Sequence, residues 1–439
     1  MKSLILGLAL CLAAMAAEKP NIIIIFTDDQ GYADLSCYDN PGDIKTPGID
    51  RIAKNGVKLT DGYSTHPVCG PSRAGLMSGR YQQRFGYCSN RDVFNAGFVQ
   101  QTTLPQVLKK SGYVTGMVGK WHLGRTEQKR WPNQRGFDEF YGFLYSMRAY
   151  FQVESGNNPI LRNNEALPEP GIYLTDAFNK EAVAFVDKHA GKKPFFLYLS
   201  YNAPHYPLEA KEEDIKLFNT GDEKRDVYLA MMKSVDEGVG QLLDKLDEKG
   251  VTDNTLIFFL SDNGGLPDKG GRNGVLRGKK GEMFEGGIRV PFLVSWPKQL
   301  PKGAVSKVPV MAFDIFATSV AAAGGTMPDD GKTYDSRDML PYIKGEKEGY
   351  IRPTLCWGAG GENRWAIRHH DWKLVNSSKK KNEIMLFDLG KDPGETTDLA
   401  AKHPEKAKEL KAMVALWREE VMGQTVELLG ENWKDHGKR

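Results

Sequence analysis

The sequence predicts an α/β protein: a mostly parallel sheet flanked by helices, with a smaller C-terminal antiparallel sheet plus a helix. Three observations carry this expectation. Short apolar runs rich in β-branched residues recur from Asn21 to Ser295. Helical stretches alternate with them, and such alternation builds parallel sheets covered on both faces. After about Gly331 the pattern gives way to short strands with polar turns.

Asn21 to Phe26 reads NIIIIF, a continuous apolar run suited to a strand buried on both faces. Tyr113 to Val118, Phe195 to Tyr201, Leu256 to Leu260 and Phe292 to Ser295 follow the same pattern. Between them, Pro47 to Asn55 sets Ile49, Ile52 and Ala53 at helical spacing and stops at Gly56. Leu104 to Ser111 stops at Gly112, and Thr175 to His189 carries Ala182, Phe185 and Val186. Asp222 to Lys249 is long and amphipathic, with Met231, Val235, Val239, Leu242, Leu243 and Leu246 on one stripe. Beyond Gly331, short strands are expected at Thr354 to Trp357, Trp365 to Arg368, Trp372 to Val375 and Ile384 to Asp388. Asp371 fits a hairpin turn between the middle two, and Pro404 to Val421 predicts a helix. The expected division is a processing segment at 1–16, an α/β domain at 17–330 and an α+β subdomain at 331–439.

The 439 residues are 40% hydrophobic and 26% charged, which excludes wholesale disorder, collagen and coiled coil. A chain this long buries a large core without disulfide help. Its 59 basic and 56 acidic residues leave a net charge of +3, too little to argue for a nucleic-acid partner. The many glycines and prolines imply specified turns, as loop-built sites require.

The N-terminus has the form of a secretory signal peptide. Lys2 precedes an apolar run from Leu4 to Ala17, and Ala14 and Ala16 suit cleavage ahead of Ala17. A buried N-terminal helix is the alternative. The run is too short to span a bilayer, and no later segment reaches the required apolar length. The expected location is therefore secreted or periplasmic, with no membrane association. Cys11 would leave with the signal; Cys37, Cys69, Cys88 and Cys356 remain. They form neither a disulfide scaffold nor the close pairs of a structural zinc site. If Cys69 has a chemical task, at most one pair can form among the rest. Lys379-Lys380-Lys381 is expected to be a solvated loop.

The ends of the strands carry the chemistry. Four apolar runs lead into Asp28-Asp29, Lys120-Trp121-His122, Pro204-His205 and Asp262-Asn263. In parallel sheets ligands bind outside the carboxyl ends of the strands. Asp28, Asp29, Asp262 and Asn263 offer hard oxygen donors of the kind that hold Ca²⁺ or Mg²⁺. Alternatively, Asp28 and Asp262 cap following helices. His122 and His205, with Lys120 beside one of them, suit anion binding or acid–base work, although a lone histidine is commonly structural. Zinc is a rival, but no H-E-x-x-H motif occurs. Pro71 suits the first turn of a helix continuing through Ala74, Leu76 and Met77 to Gly79. Cys69 would then stand at the helix N-terminus, where the dipole favours an anion, and Arg73 would lie one turn on. A simple buried cysteine, a redox thiol and a nucleophile all fit that placement.

The run Cys69-Gly70-Pro71-Ser72-Arg73-Ala74-Gly75-Leu76-Met77-Ser78-Gly79-Arg80 closely resembles the signature of the type I sulfatases. Gly112-Tyr113 through Gly119-Lys120-Trp121-His122-Leu123-Gly124 resembles their second signature. The resemblance runs from Pro20 to about Leu399. It implies an alkaline-phosphatase-like fold with a smaller C-terminal subdomain, and oxidation of Cys69 to Cα-formylglycine. That step would need a partner, a formylglycine-generating or anaerobic sulfatase-maturating enzyme. The resemblance further implies that Asp28, Asp29, Asp262 and Asn263 bind one Ca²⁺, completed by the modified Cys69 and a substrate oxygen. Arg73 would hold the formylglycine, and Lys120, His122, His205 and Lys280 would contact the sulfate ester. Adjacent Lys279 leaves Lys280 ambiguous by one position. An Asp-His pair stands in zinc-dependent relatives where this chain has Asp262-Asn263, which favours one calcium.

In the mechanism so implied, an oxygen of the hydrated aldehyde attacks sulfur. His205, with Lys280, protonates the leaving alcohol, and His122 deprotonates the second hydroxyl to expel sulfate. Segments Gly119–Gly124 and Gly136-Phe137-Asp138 are similar to N-acetylgalactosamine-6-sulfatase-like and bacterial carrageenan sulfatases. This implies a sulfated polysaccharide or oligosaccharide substrate with galactose-type sugars. Arg130, Trp131, Arg148, Tyr150, Trp357, Arg364, His369 and His370 are candidates for sugar subsites. Two alternatives stand beside this: a phosphoester or phosphonate hydrolase of the same superfamily, distinguished by preference for phosphate, and a non-catalytic glycan-binding protein, distinguished by binding without sulfate release.

Overall fold

The computed structural model describes residues 19–38, 42–90, 97–151, 158–359, 363–376 and 383–429. The expected signal segment at 1–16 with Cys11, and the Lys379–Lys381 loop, lie outside the described residues.

In chain order the strands are β1 (Asn21–Thr27), β2 (Gly56–Leu59), β3 (Gly62–Tyr63), β4 (Val114–Lys120), β5 (Glu139–Phe143), β6 (Leu161–Arg162), β7 (Glu165–Ala166), β8 (Phe195–Ser200), β9 (Thr255–Ser261), β10 (Phe292–Ser295), β11 (Ala304–Ser306) and β12 (Val310–Met311). Four more follow: β13 (Thr354–Gly358), β14 (Trp365–His369), β15 (Trp372–Asn376) and β16 (Ile384–Asp388). The helices are α1 (Pro47–Lys54), α2 (Cys69–Ser78), α3 (Leu104–Lys110), α4 (Leu174–His189), α5 (Glu212–Ile215), α6 (Glu223–Glu248), α7 (Glu285–Ile288), α8 (Asp314–Ala322), α9 (Leu340–Ile343) and α10 (Pro404–Leu429).

The large sheet has ten strands in the order β11-β2-β10-β9-β1-β8-β4-β5-β6-β7. Its centre, β9-β1-β8-β4-β5, is parallel throughout. This is the doubly covered sheet the apolar runs predict. Ile23 and Ile25 of β1 pack into a core shared with α1, α4 and α6. Ile22, Ile24 and Phe26 face the opposite core, with α2, α3 and α8. Each of these isoleucines is fully buried, which stabilises the fold by about 1.5–3 kcal/mol per side chain.

The sequence pattern misses β2 and β5. Neither is a continuous apolar run, because GVKL carries Lys58 and EFYGF begins on Glu139. The direction of β10 was not legible either: it runs antiparallel to both β9 and β2. An apolar run records burial on two faces and is silent about polarity.

Strands β13 to β16 form a separate antiparallel sheet in sequence order, as expected, with Asp371 in the tight connection between β14 and β15. Leu410 and Val414 of α10 cover Ile367, Leu374 and Leu386 on one face. The other face packs against Tyr63 of β3, Met311 of β12 and Ile288 of α7. There Trp357, fully buried, donates its indole N–H to the Ser64 carbonyl at 2.8 Å. Among the described residues, no helix is long and apolar enough to cross a membrane.

Candidate active site

The four sequence-predicted strand ends lie side by side because β9, β1, β8 and β4 are consecutive neighbours in the sheet. Thr27 is in register with Ser261, Phe26 with Ser200, and Ser200 with Gly119. The residues that follow these positions therefore emerge at one edge. Gly119 makes the approach possible: its φ is +109°, and a Cβ there would stand 1.9 Å from the Ser200 carbonyl oxygen.

The capping alternative for Asp28 and Asp262 fails. The next α-helices begin only at Pro47 and Glu285, and both carboxylates face inward, fully buried. Asp28 pairs with the Lys120 ammonium. Asp262 receives Arg73 Nε at 3.0 Å and Nη2 at 2.8 Å on one oxygen, and the Asp29 N–H at 3.3 Å on the other. Asn263 Nδ2 donates to Asp29 Oδ1 at 2.8 Å. Lys280 Nζ lies 2.6 Å from that same Asp29 oxygen and 3.3 Å from Cys69 Sγ. Lys279 instead pairs with Asp268 at the surface, so the geometry puts Lys280 rather than its neighbour in the cluster.

Cys69 opens α2, as expected, after the extended residue Val68. Gly70 N–H is capped by Asn90 Oδ1 at 2.9 Å, and Asn90 Nδ2 approaches Cys69 Sγ at 4.0 Å. Arg73, one turn on, crosses to Ser200 Oγ at 2.5 Å and the Lys120 carbonyl at 3.3 Å. It thus ties α2 to three strand ends. Asn90 and Ser200 escaped the sequence reading, because nothing in their neighbourhoods marks them chemically.

The electrostatics single out one thiol. Burial alone would raise the pKa of Cys69, but the ammonium groups of Lys120 and Lys280 outweigh it and bring the thiol down to about 7. Burial pushes Cys37 and Cys88 up to about 12, and Cys356 also rises. Among the described residues, Cys37, Cys69, Cys88 and Cys356 are all free, and no pair forms among these four.

The two histidines are driven apart. Burial, with Lys120 and Arg73 nearby, holds His122 well below the ordinary value, as a neutral ring. Burial also opposes charge on His205, but Asp28 and Asp29 prevail and raise its pKa. His205 Nδ1 sits 2.5 Å from the Tyr206 carbonyl and must carry a proton to donate there. Its Nε2 then faces Asp29 at 3.7 Å.

The donor set fits a hard divalent cation. Asp28 Oδ1, Asp29 Oδ2 and Asn263 Oδ1 are all buried without a hydrogen-bond partner among the described residues. Ligand atoms of Asp28, Asp29, Cys69 and His205 lie within 4.8 Å of one another. Asp262 stands beside this group with its oxygens engaged by Arg73 and Asp29. Burial and then the charge of Asp28 raise its carboxyl well above the ordinary range, a repulsion that a cation between them would relieve.

The sugar-subsite candidates fare differently. Tyr150 and Trp357 are buried and cannot line a subsite. Tyr150 instead donates toward the carbonyls of Asn202 and His205, at 2.7 and 2.8 Å, and so braces the His205 loop. Arg148 and Arg130 are buried in ion pairs with Glu169 and Glu127. Arg364 donates to the carbonyl of Gly281, next to Lys280. Trp131 donates to the Arg125 carbonyl at 2.9 Å. His369 and His370 sit at the β14–β15 hairpin, their rings 4.4 Å apart.

The family model described as Sulfatase matches residues 20–325, which takes in every one of these strand ends. The chain belongs to the sulfatase family. It is accordingly a sulfuric ester hydrolase. A second model, for the N-sulphoglucosamine sulphohydrolase C-terminal region, matches residues 278–420. This sulfatase is 32% identical to human N-acetylgalactosamine-6-sulfatase, over 96% of its own length and 90% of the relative's. It is 31% identical to the uncharacterized sulfatase YdeN of Escherichia coli strain K12, over 90% of this chain and 85% of that one. Among solved structures, that of Ps i-CgsB in complex with k-i-k-neocarrahexaose superposes with a TM-score of 0.84 at 37% identity, over 91% of this chain and 93% of that one.

Proposed function

We propose that this sulfatase releases sulfate from a sulfated polysaccharide or its oligosaccharides, with Cα-formylglycine formed from Cys69 and one Ca²⁺ in the site. The observation that carries the proposal is the depressed thiol of Cys69, facing Lys280 beside three unpartnered oxygens of Asp28, Asp29 and Asn263. The substrate class rests on the relatives: one is named for N-acetylgalactosamine 6-sulfate chemistry, and another was solved with a neocarrahexaose.

Asp28, Asp29, Asp262 and Asn263 would hold the calcium, with residue 69 as a further ligand. Bound there, calcium would polarise a sulfate oxygen and lower the pKa of an oxygen on residue 69. Lys120 and Lys280 present two ammonium groups where negative charge grows on the sulfate, and Arg73 keeps Asp262 oriented. His205 carries a proton on Nδ1 for Tyr206, and its raised pKa lets Nε2 carry another to the leaving alcohol. That proton transfer would contribute roughly 10²–10⁴-fold. His122 is neutral with Nδ1 unpartnered, so it can accept a proton from residue 69 to reset the site.

The proposed organisation is a signal peptide at 1–16, a catalytic domain at 17–330 and a C-terminal subdomain at 331–439, the mature protein being secreted or periplasmic. A formylglycine-generating or anaerobic sulfatase-maturating enzyme would act on Cys69. The test compares calcium-loaded, matured protein on sulfated galactan oligosaccharides and on matched sulfate and phosphate monoesters. Sulfate release with higher kcat/KM for sulfate supports the proposal. Preference for phosphate overturns it, as does glycan binding without sulfate release.

A further inference from the structure

Lys280 reaches the site from a segment without helix or strand, residues 278–284, that leads into α7. What fixes that segment lies behind it. Lys373 of β15 is fully buried, and its ammonium sits 2.8 Å from Glu285 Oε1 and 2.8 Å from Glu395 Oε1. Glu285 and Glu395 are fully buried as well. Glu395 closes the ring by accepting the Glu285 N–H at 2.6 Å, and its carbonyl accepts Arg277 Nη1 at 3.0 Å. Tyr63 adds its hydroxyl to Glu285 Oε2 at 2.8 Å.

Among the described residues, this ring meets the site through backbone. The residues after Glu285 form a glycine floor. A Cβ on Gly286 would meet the Gly278 carbonyl at 2.4 Å, and one on Gly287 would meet the carbonyls of Glu282 and Lys279 at 2.1 and 2.7 Å. Gly286 N–H also donates to the Arg277 carbonyl at 2.7 Å. The Lys279–Lys280 turn therefore rests directly on α7. The same floor supports the metal-type loop, since Gly264 N–H donates to the Gly287 carbonyl at 3.0 Å and Lys280 N–H to the Gly265 carbonyl at 3.2 Å. A lysine buried between two carboxylates holds both in place, because removing it leaves two carboxylates facing each other out of water without their cation.

We propose that Lys373 and Glu395, supplied by the C-terminal part of the chain, are positioning residues for Lys280 and the Asn263–Gly265 loop, acting through Glu285 and the Gly286–Gly287 floor. The C-terminal sheet is then part of the catalytic apparatus although its ring bonds to the backbone behind Lys280 rather than to the acidic cluster. The catalytic half of this inference rests on the proposed role of Lys280.

The test uses the full, matured, calcium-loaded chain and two readouts. Lys373→Met is expected to raise amide hydrogen exchange in 277–287 and to lower kcat/KM on a small aryl sulfate about 10–100-fold. In a Lys280→Ala background the same change is expected to cost little more, because residues that act as a unit are not additive. Glu395→Ala should behave like Lys373→Met, whereas Glu395→Gln, which keeps the acceptor for Glu285 N–H, should restore protection and turnover. Unchanged exchange in 277–287, or losses that multiply with Lys280→Ala, would overturn the proposal. If Lys373→Met does not fold, the Glu395→Ala and Glu395→Gln pair decides it by the same readouts. If the unsubstituted protein hydrolyses no sulfate ester, the functional proposal falls, and the exchange data still decide whether the ring positions the loop.

Discussion

Lys280 and Cys69 are 211 positions apart in the chain, and Lys280 Nζ stands 3.3 Å from Cys69 Sγ. The contact joins the N-terminus of α2 to the glycine-lined segment ahead of α7. It is the shortest statement of how this fold assembles its chemistry.

Replacing Lys280 by Ala should lower kcat/KM on an aryl sulfate by roughly 10²–10³-fold, the cost of removing a preorganised charge from the developing anion. Lys279→Ala is the matched control. Its ammonium pairs with Asp268 in solvent, and steady-state kinetics should show less than a twofold change.

Chelation should abolish turnover, and added Ca²⁺ should restore it. Calcium at about a hundredfold over its Kd should stabilise the fold by about 2.7 kcal/mol, visible as a higher Tm. Asp29→Asn should lose most of that calcium-dependent shift, since Asp29 Oδ2 is one of the unpartnered oxygens. An unaltered melting curve on adding calcium would count against the metal assignment.

Glu395 makes stability fall as pH rises. Burial and then the charge of Glu285 outweigh Lys373 and lift its carboxyl from 4.5 to about 7. A raised folded-state pKa contributes stability that is full below the unfolded value and is lost as pH climbs through the folded one. The decline should lie between about pH 4.5 and 7, and Glu395→Gln should flatten it. Thermal melts of both proteins across that window check the sign. Burial opposes charge on Glu285, but Lys373 prevails and holds it down to about 2, so it acts in the opposite sense, its contribution fading as pH falls from about 4.5 through 2.

Tyr206 is the exposed aromatic nearest the chemistry in sequence. It is 39% exposed, and its ring stacks on His205 with centroids 4.3 Å apart. The Lys269 ammonium lies 5.6 Å from the centroid of the same ring, so a sulfated sugar arriving there would meet an aromatic and a cation together. Tyr206→Ala should raise KM for a sulfated oligosaccharide about 3–10-fold, the worth of one aromatic contact. The rise should exceed any change in KM for an aryl sulfate.

Much of this was legible in the chain itself. The β1 and β9 runs announce two-sided burial, and the polar residues at their ends mark the candidate site. Neighbouring strand order was not legible, and only that order brings Asp28, Asp262, His205 and Lys120 to one edge. Tyr150 and Trp357 looked like sugar platforms because sequence cannot distinguish an aromatic facing solvent from one filling a core. Lys373 gave no signal at all. In WKLV it resembles the polar position of any alternating strand, and its meaning depends on two glutamates from distant segments.

The most direct test of the central claim is the mass of the tryptic peptide from Leu59 to Arg73, taken from protein that releases sulfate from a sulfate ester. Formylglycine chemistry predicts the mass of an aldehyde or its hydrate at Cys69. An unmodified thiol throughout a preparation with full sulfatase activity would contradict it.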